Sequence, residues 1–476
     1  MEDILNLAIS SGLNFPIRRN YDFSNVIHSR VIPNNTFGVF VSVERSKNHT
    51  LKSWPGNIHG CIGYWDPNYN IMNNDLIIDK IISCANDSVW KDNRRSYFKK
   101  SIYVDLKCLF KIYFMLLPIK KINNESGEIL NTKEIFNNNR YGLIVEGISD
   151  NQNRATYLPN VFPNESWEFI KKSIIQKAGI SNSEIRFYAY DCKIYSMTVS
   201  DYFIRPIQYF INKHYTNFVP YKMVNDYIII DKSEYVRNLA FIYDVLQMNQ
   251  YGYSINNTVY NSITSNINYY KHKFNLDKKS MRQASAFLLL DIYLTNTNDQ
   301  YFEIIKSYLY DQIINPDFNN PIDINFELGE ILMALSIVDK KNNILAKKLN
   351  KIPNIDQNAP VDIFRYNWFS KLVINIDYPD YKLILTNKII KFIDNHPQYD
   401  ETNFYAVEFE SLSTLYTLIN DPKLQSLVEK YISELLIKLE NRRNIFGMFH
   451  FKNGDVRFDI TGHILNGYYA LLSILT

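Results

Sequence analysis

Apolar residues follow two different rhythms along this chain of 476 residues. From residue 1 to about 205, short continuous apolar runs alternate with helical stripes. Phe37-Gly38-Val39-Phe40-Val41-Ser42-Val43 predicts a buried strand, as do Phe110 to Leu117 and Gly142-Leu143-Ile144-Val145. Between them, Leu76 to Val89 has helical spacing. Trp167, Ile170, Ile174 and Ile175 form a second amphipathic stripe, capped by Ser166 or Asn164 and stopped by Gly179. Mixed signals of this kind predict an α+β domain over residues 1–205.

From about residue 233 the strand signals nearly vanish. Leu328, Ile331, Leu332 and Leu335 repeat at helical intervals, as do Leu412, Leu415, Tyr416 and Ile419. Asp421-Pro422 reads as an N-cap followed by proline at the first helical position. The more apolar helix of each pair starts near Arg237, Gln283, Glu327, Tyr366, Glu408 and His463. Six helical hairpins at a spacing of roughly 40 residues predict an all-α repeat architecture over 233–476. Six is also the number that closes an alpha/alpha toroid; an open solenoid is the alternative. Pro206, Pro220 and several asparagines mark 206–232 as a linker.

Composition narrows the classes. Hydrophobic residues make up 46% and charged residues 21%, which is the balance of a folded chain with more than one core. A net charge of +3 offers no basic excess, so no nucleic-acid partner is expected. No apolar run is long enough to span a membrane, and the N-terminus lacks a signal-peptide pattern. Four cysteines, Cys61, Cys84, Cys108 and Cys192, are widely spaced and contain no Cys-x-x-Cys pair. That predicts a reducing compartment, with neither disulfide scaffold nor metal site, and no cofactor is indicated. A cytoplasmic location is expected. The bias towards Asn, Ile, Lys, Tyr and Phe fits an AT-rich coding sequence, and for a viral protein the place would be host cytoplasm or virion.

The densest chemistry lies in Ile58-His59-Gly60-Cys61-Ile62-Gly63. In an extended segment, residues two apart share a face, so His59 and Cys61 are expected side by side. The glycines leave the backbone near the sulfur open. A neighbouring cation would favour the thiolate, and histidine is also a candidate base. The plain alternative is a small buried thiol in a tight turn.

The hexapeptide resembles the Leu-Arg-Gly-Cys-Ile-Gly signature of the AMMECR-type domain family. Tyr157-Leu158-Pro159-Asn160-Val161 resembles that family's Leu-Pro-Gln-Val element, and Trp167 with Lys177-Ala178-Gly179 its downstream elements. Asp92-Asn93-Arg94 resembles its Asp-Pro-Arg-Phe element. His59 stands where the family has Arg, Asn160 where it has Gln, and Arg95 where it has Phe. The resemblance implies the family's α+β fold over residues 1–205 and a small-molecule or peptide site. Cys61, His59, Asp92 and Lys177 are the candidate catalytic residues, and Arg94, Asn160 and Trp167 the candidate binding residues. The plainer explanation of Lys177 is a cation in a last helical turn, where it interacts well with the helix dipole.

In the helical half, acids recur near helix starts at Asp291, Glu327, Glu330, Glu408 and Glu410, and Asp459 precedes His463 by four residues. The segment from Gly447 to His463 is similar to the last hairpin of toroids in carbohydrate-active enzymes. That likeness implies an alternative site at Glu408, Glu410, Asp459 and His463, suited to acid–base work on a sugar by an epimerase, lyase or hydrolase. First-turn acids that favour helix starts are the competing explanation. A third reading is an adaptor whose helical array grips a protein partner.

Overall fold

The computed structural model describes residues 2–15, 31–45, 58–94, 101–148, 153–181, 184–225, 227–314, 327–339, 363–375, 400–444, 447–451 and 454–473. Arg95 lies outside them, as does the side chain of Tyr366. The chain divides into two compact units: Met1–Ile102 with Lys107–Tyr202, and Tyr103–Leu106 with Phe203–Thr476.

The first unit is α+β. Its strands are β1 (Thr36–Glu44), β2 (Ile58–Trp65), β3 (Leu109–Ile122), β4 (Glu128–Ile129), β5 (Glu134–Ile135), β6 (Gly142–Gly147), β7 (Arg154–Tyr157) and β8 (Ile185–Thr198). The main path runs β2-β1-β3-β8-β6-β7, with every pair antiparallel. Helices α1 (Glu2–Gly12) and α2 (Asn74–Trp90) pack together, α2 against β1 and β2 and α1 against β3 and β8. Asn73 caps α2 by accepting from the amide of Leu76. Helix α3 (Trp167–Ala178) lies on β6 and β7. Ser166 caps its start, and Gly179 at φ +67° ends it in the left-handed conformation that glycine adopts without strain. Ile170 and Ile174 of α3 join Leu143, Val145, Tyr157 and Phe187 in one core.

The second unit is mainly helical. Helix α4 (Val199–His214) crosses the boundary between the units. It occupies the start of the expected linker, and strands β9 (Lys222–Val224) and β10 (Tyr227–Ile229) lie in the rest. The described residues of 206–232 therefore hold a helix and two short strands: Pro206 is accommodated inside a helix, so its presence did not mark a break. Strand β11 (Val456–Arg457) pairs with β9, so a three-stranded sheet qualifies the expectation of an all-helical half. Strands this short carry almost no periodic signal.

The remaining helices are α5 (Tyr235–Gln250), α6 (Asn257–Leu276), α7 (Ala284–Thr295), α8 (Gln300–Ile314), α9 (Glu327–Val338), α10 (Ile363–Asn375), α11 (Thr402–Tyr416), α12 (Pro422–Glu440) and α13 (Phe458–Ser473). Two kinds of helix are distinguishable. Helix α7 is buried at every position from Ala284 to Ile292, α9 from Leu328 to Ser336, and α11 from Tyr405 to Tyr416. Apolar surface all round forces a helix into the interior. Helices α6, α8 and α12 bury one stripe only, such as Val428, Ile432, Leu435 and Leu439 of α12. Asn256 and Asp421 cap α6 and α12, with Pro422 in the first turn. Among the interior helices, α5 packs on α7, α7 on α9, α9 on α10, α10 on α11 and α11 on α13, and α13 packs back on α5.

Candidate functional site

Strand register builds the floor of a cleft in the first unit. Ser42 of β1 stands opposite Cys61 on β2 and Lys111 on β3. Directly opposed residues share a sheet face, so Cys61, Ser42 and Lys111 form one row. Phe40, opposite both Gly63 and Tyr113, begins the next. Thr156, Tyr157, the 158–161 segment and Pro163, with Ser173, Gln176 and Lys177 of α3, complete the walls. The cavity measures about 1050 Å³, which suits a small molecule or a short peptide segment.

The hexapeptide's glycines have separate jobs. A Cβ on Gly60 would lie 1.8 Å from the carbonyl oxygen of Ser88, so Gly60 lets β2 press against α2. A Cβ on Gly63 would lie 2.1 Å from the Phe40 ring, so Gly63 makes room for the aromatic floor. Only the second faces the cleft.

His59 does not stand beside Cys61. The register shifts between Val43, opposite Gly60, and Glu44, opposite Ile58, which leaves His59 as the extra residue of a bulge. The bulge breaks the two-residue alternation and turns His59 towards α2, where Nε2 lies 3.2 Å from the carbonyl oxygen of Val89. His59 is buried and does not line the cleft.

Two other cations lie near Cys61. Asp92 accepts the Cys61 amide (3.0 Å) and a two-pronged contact from Arg94, through Nε (2.9 Å) and Nη2 (2.5 Å). Burial would raise the Asp92 carboxyl, but the bonds from Arg94 and the Cys61 amide prevail and hold it below its ordinary value. Arg94 Nη2 also donates to the Cys61 carbonyl (3.2 Å). Lys177 Nζ donates to the Thr156 carbonyl (2.8 Å) and sits 4.7 Å from the centre of the Tyr157 ring. Burial lowers its pKa, and Arg94 pushes the same way. Burial also pushes the Cys61 thiol up to about 11, against the pull of Arg94 and Lys177. At neutral pH Cys61 is therefore a thiol in a desolvated cationic corner, and the expectation of a thiolate activated by His59 gives way to that geometry.

Asn160 lines the same cleft in the left-handed conformation, φ +65°, which asparagine tolerates better than most residues. Trp167 does not line it. It packs edge-on against Phe136 and Phe187, and its ring fills the space where a Cβ on Gly127 would sit. Ser42, unremarked in the sequence, lies 1% exposed on the floor. Its Oγ has no hydrogen-bond partner among the described residues. Only the register, placing it between Cys61 and Lys111, would have singled it out. Cys84 and Cys108 are buried, and Cys192 is half-buried.

In the helical unit the four candidates separate. Glu410 on α11 accepts from His463 Nδ1 (2.7 Å) and Asn367 Nδ2 (2.6 Å), and forms an ion pair with Lys371. Burial would raise Glu410, but Lys371 and His463 prevail and keep it below its ordinary value. Burial would lower His463, but Glu410 prevails and raises it. Glu408, two residues away on the helix, answers to Lys438 of α12, and burial raises it to about 7. Asp459 pairs with Arg457 and, at 3.5 Å, with Arg237. Asp244 on α5 accepts from Asn466 (2.8 Å), and burial raises it to about 7. Asp291 is fully buried, and neither carboxylate oxygen has a hydrogen-bond partner among the described residues; desolvation raises it well above its ordinary value. Glu327 pairs with Arg282 (2.5 Å), and Glu330 is buried with its pKa raised by desolvation.

Among the described residues, no group of three or more His, Cys, Asp or Glu is arranged to hold a metal ion. None of the described helices is long and apolar enough to cross a membrane. Comparison with curated proteins and with solved structures returned no match. A family model does match: residues 17–200 fit the one described as AMMECR1. That span contains the hexapeptide, the Asp92–Arg94 clamp, Asn160 and Lys177, and the chain thus carries an AMMECR1 domain across the residues that form the cleft.

Proposed function

We propose that the AMMECR1 domain receives a small organic molecule or a peptide segment in the cleft floored by Cys61, and that this is the working site of the first unit. The observation that carries the reading is the convergence of Cys61, Arg94 and Lys177 on one half-open cavity of about 1050 Å³. Arg94 is prepared for such a role because Asp92 fixes its plane through Nε and Nη2. Among the described residues, no acceptor takes the hydrogens of Nη1. Positioning and electrostatics are what this corner offers. Covalent chemistry at Cys61 would need the ligand itself to assist removal of the thiol proton. Fragment screening by ligand-observed NMR on the full chain, with Arg94→Met and Lys177→Met as controls, tests the reading. Fragments that bind equally well to both variants and the unaltered chain would remove the cleft as the site.

For the helical unit, the cycle of contacts from α5 round to α13 and back to α5 favours six hairpins closed as an alpha/alpha toroid over the open solenoid. The Glu410–His463–Lys371 group favours the carbohydrate-active reading over a purely adaptor role, since it joins a buried carboxylate to an imidazole and an ammonium, groups that can exchange a proton. Reducing-sugar and product-ring assays on oligosaccharide panels, with His463→Gln as control, address it. Sugar turnover that persists in His463→Gln would move the site elsewhere.

A further inference from the structure

The cleft's charges specify the kind of ligand more narrowly than its volume does. Three cations line it: Arg94, Lys111 and Lys177. Asp92 is paired with Arg94 at 2.5 Å, and Glu44 with Lys111 at 2.6 Å. Lys177 has no carboxylate partner among the described residues; it donates to the Thr156 carbonyl instead. Among the described residues the corner therefore holds one uncompensated positive charge. Ser42 adds a buried hydroxyl on the floor, with no hydrogen-bond partner among the described residues. Burying a hydroxyl without a partner is unfavourable, so its presence there calls for an acceptor that the protein does not supply. The two hydrogens of Arg94 Nη1 likewise have no acceptor among the described residues. Away from this corner the walls turn apolar and aromatic, with Phe40, Tyr113, Tyr157, Leu158, Val161 and Ile194.

We infer that the cleft binds a monocarboxylate carried on an apolar or aromatic body, its carboxylate set against Lys177, Arg94 Nη1 and the Ser42 hydroxyl. The inference rests on the cleft reading above and names its ligand class. One negative charge balances Lys177 and leaves the corner neutral. A phosphate dianion would leave an excess negative charge in a desolvated site, and an amine would add to the positive one. A free organic acid and the C-terminus of a peptide ending in a large apolar residue present the same chemistry.

The test is isothermal titration of the full chain with phenylbutyrate, phenylbutyl phosphate and phenylbutylamine. A Gly-Leu-Phe tripeptide with a free and with an amidated C-terminus forms the second arm. Phenylbutyrate or the free tripeptide, or both, should bind, and whichever binds identifies the source. The phosphate, the amine and the amidated peptide should bind much more weakly. Lys177→Met should weaken carboxylate binding by roughly tenfold or more, and Ser42→Ala by roughly threefold. Lys177→Arg should restore most of the loss, which separates charge recognition from misfolding, and unchanged melting curves would confirm that the variants fold. If the phosphate or amine binds as well as the carboxylate, and Lys177→Met weakens that binding, the ligand class is wrong while the cleft stands. If no probe binds, or Lys177→Met changes nothing, both the class and the cleft reading fall.

Discussion

The two units use buried charge in opposite ways. In the AMMECR1 cleft, Asp92 and Glu44 each neutralise one cation, and among the described residues Lys177 is left over at a half-open cavity. In the helical unit, Glu410 is fully buried and is met by Lys371, His463 and Asn367 together, so its charge is answered from within the unit. Its neighbour Asp244 responds to desolvation by holding its proton. A corner with one charge in excess is prepared for something from outside. A centre whose charges answer one another is prepared first of all to hold its own helices, and any chemistry there must work through groups already engaged.

The largest expected effect tests that second half. Glu410→Ala would leave Lys371 and His463 facing a buried gap, and removing one member of a buried ion pair costs about 3–5 kcal/mol. Urea unfolding followed by circular dichroism at the helical minimum should show this loss. A loss below about 1 kcal/mol, as for an exposed pair, would mean that water reaches the network and that the contrast is overstated.

Next comes Gly60→Ala. The added carbon meets backbone, the Ser88 carbonyl, which cannot swing away as a side chain can. A cost of about 1–3 kcal/mol is expected from overpacking, with β2 displaced from α2. The same unfolding experiment measures it, and a neutral outcome would show that α2 shifts freely.

The third effect is a slope. Asp244 ordinarily titrates at 3.8 and in the folded chain at about 7. Between those values the folded chain keeps a proton that the unfolded chain has released, so stability falls as pH rises through that window. Asp244→Asn should flatten the fall while keeping a side chain of the same shape beside Asn466. His463, raised above its ordinary 6.5 by Glu410 against the pull of burial, contributes stability that is full below 6.5 and lost above its folded value. A stability profile that has the same slope in the Asp244→Asn variant would assign the titration to other groups.

The smallest effect concerns Cys61. With its thiol pushed up to about 11, alkylation by iodoacetamide near neutral pH should be slow compared with a free cysteine peptide. Lys177→Met should slow it further, whereas His59→Ala should leave it unchanged, because His59 faces α2. A clear loss of reactivity in His59→Ala would restore histidine as the partner of the thiol.

Much of the architecture was legible because it is written in local periodicity. The strand at Phe37–Val43 became β1, and the stripe from Leu76 to Val89 became α2. Ser166 and Gly179 bound α3 as capping chemistry requires. The expected starts near Arg237, Gln283, Glu327 and Tyr366 fall within three residues of the first residues of α5, α7, α9 and α10. Those near Glu408 and His463 fall five to six residues inside α11 and α13. The linker was misread because proline counts as a breaker in sequence, while α4 carries Pro206 within a helix.

The site was legible only in part, and the reason lies in the range of the interactions. By itself the sequence determined which residue types were present and which local periods they obeyed: the thiol between glycines, the Asp92–Arg94 spacing and the lysine before Gly179. Pairing across strands decided the rest. A one-residue bulge sent His59 to α2, while the β1–β3 register set Ser42 and Lys111 beside Cys61. The approach of α3 supplied Lys177 as a cation that strand alternation could not foresee. In the helical unit, Glu410 met His463 across 53 positions of chain, while Glu408, two residues away, turned towards α12. Local pattern fixes faces to within one bulge or one helical step. Which faces meet, and therefore which charges are left over, is settled by packing between segments far apart in the chain.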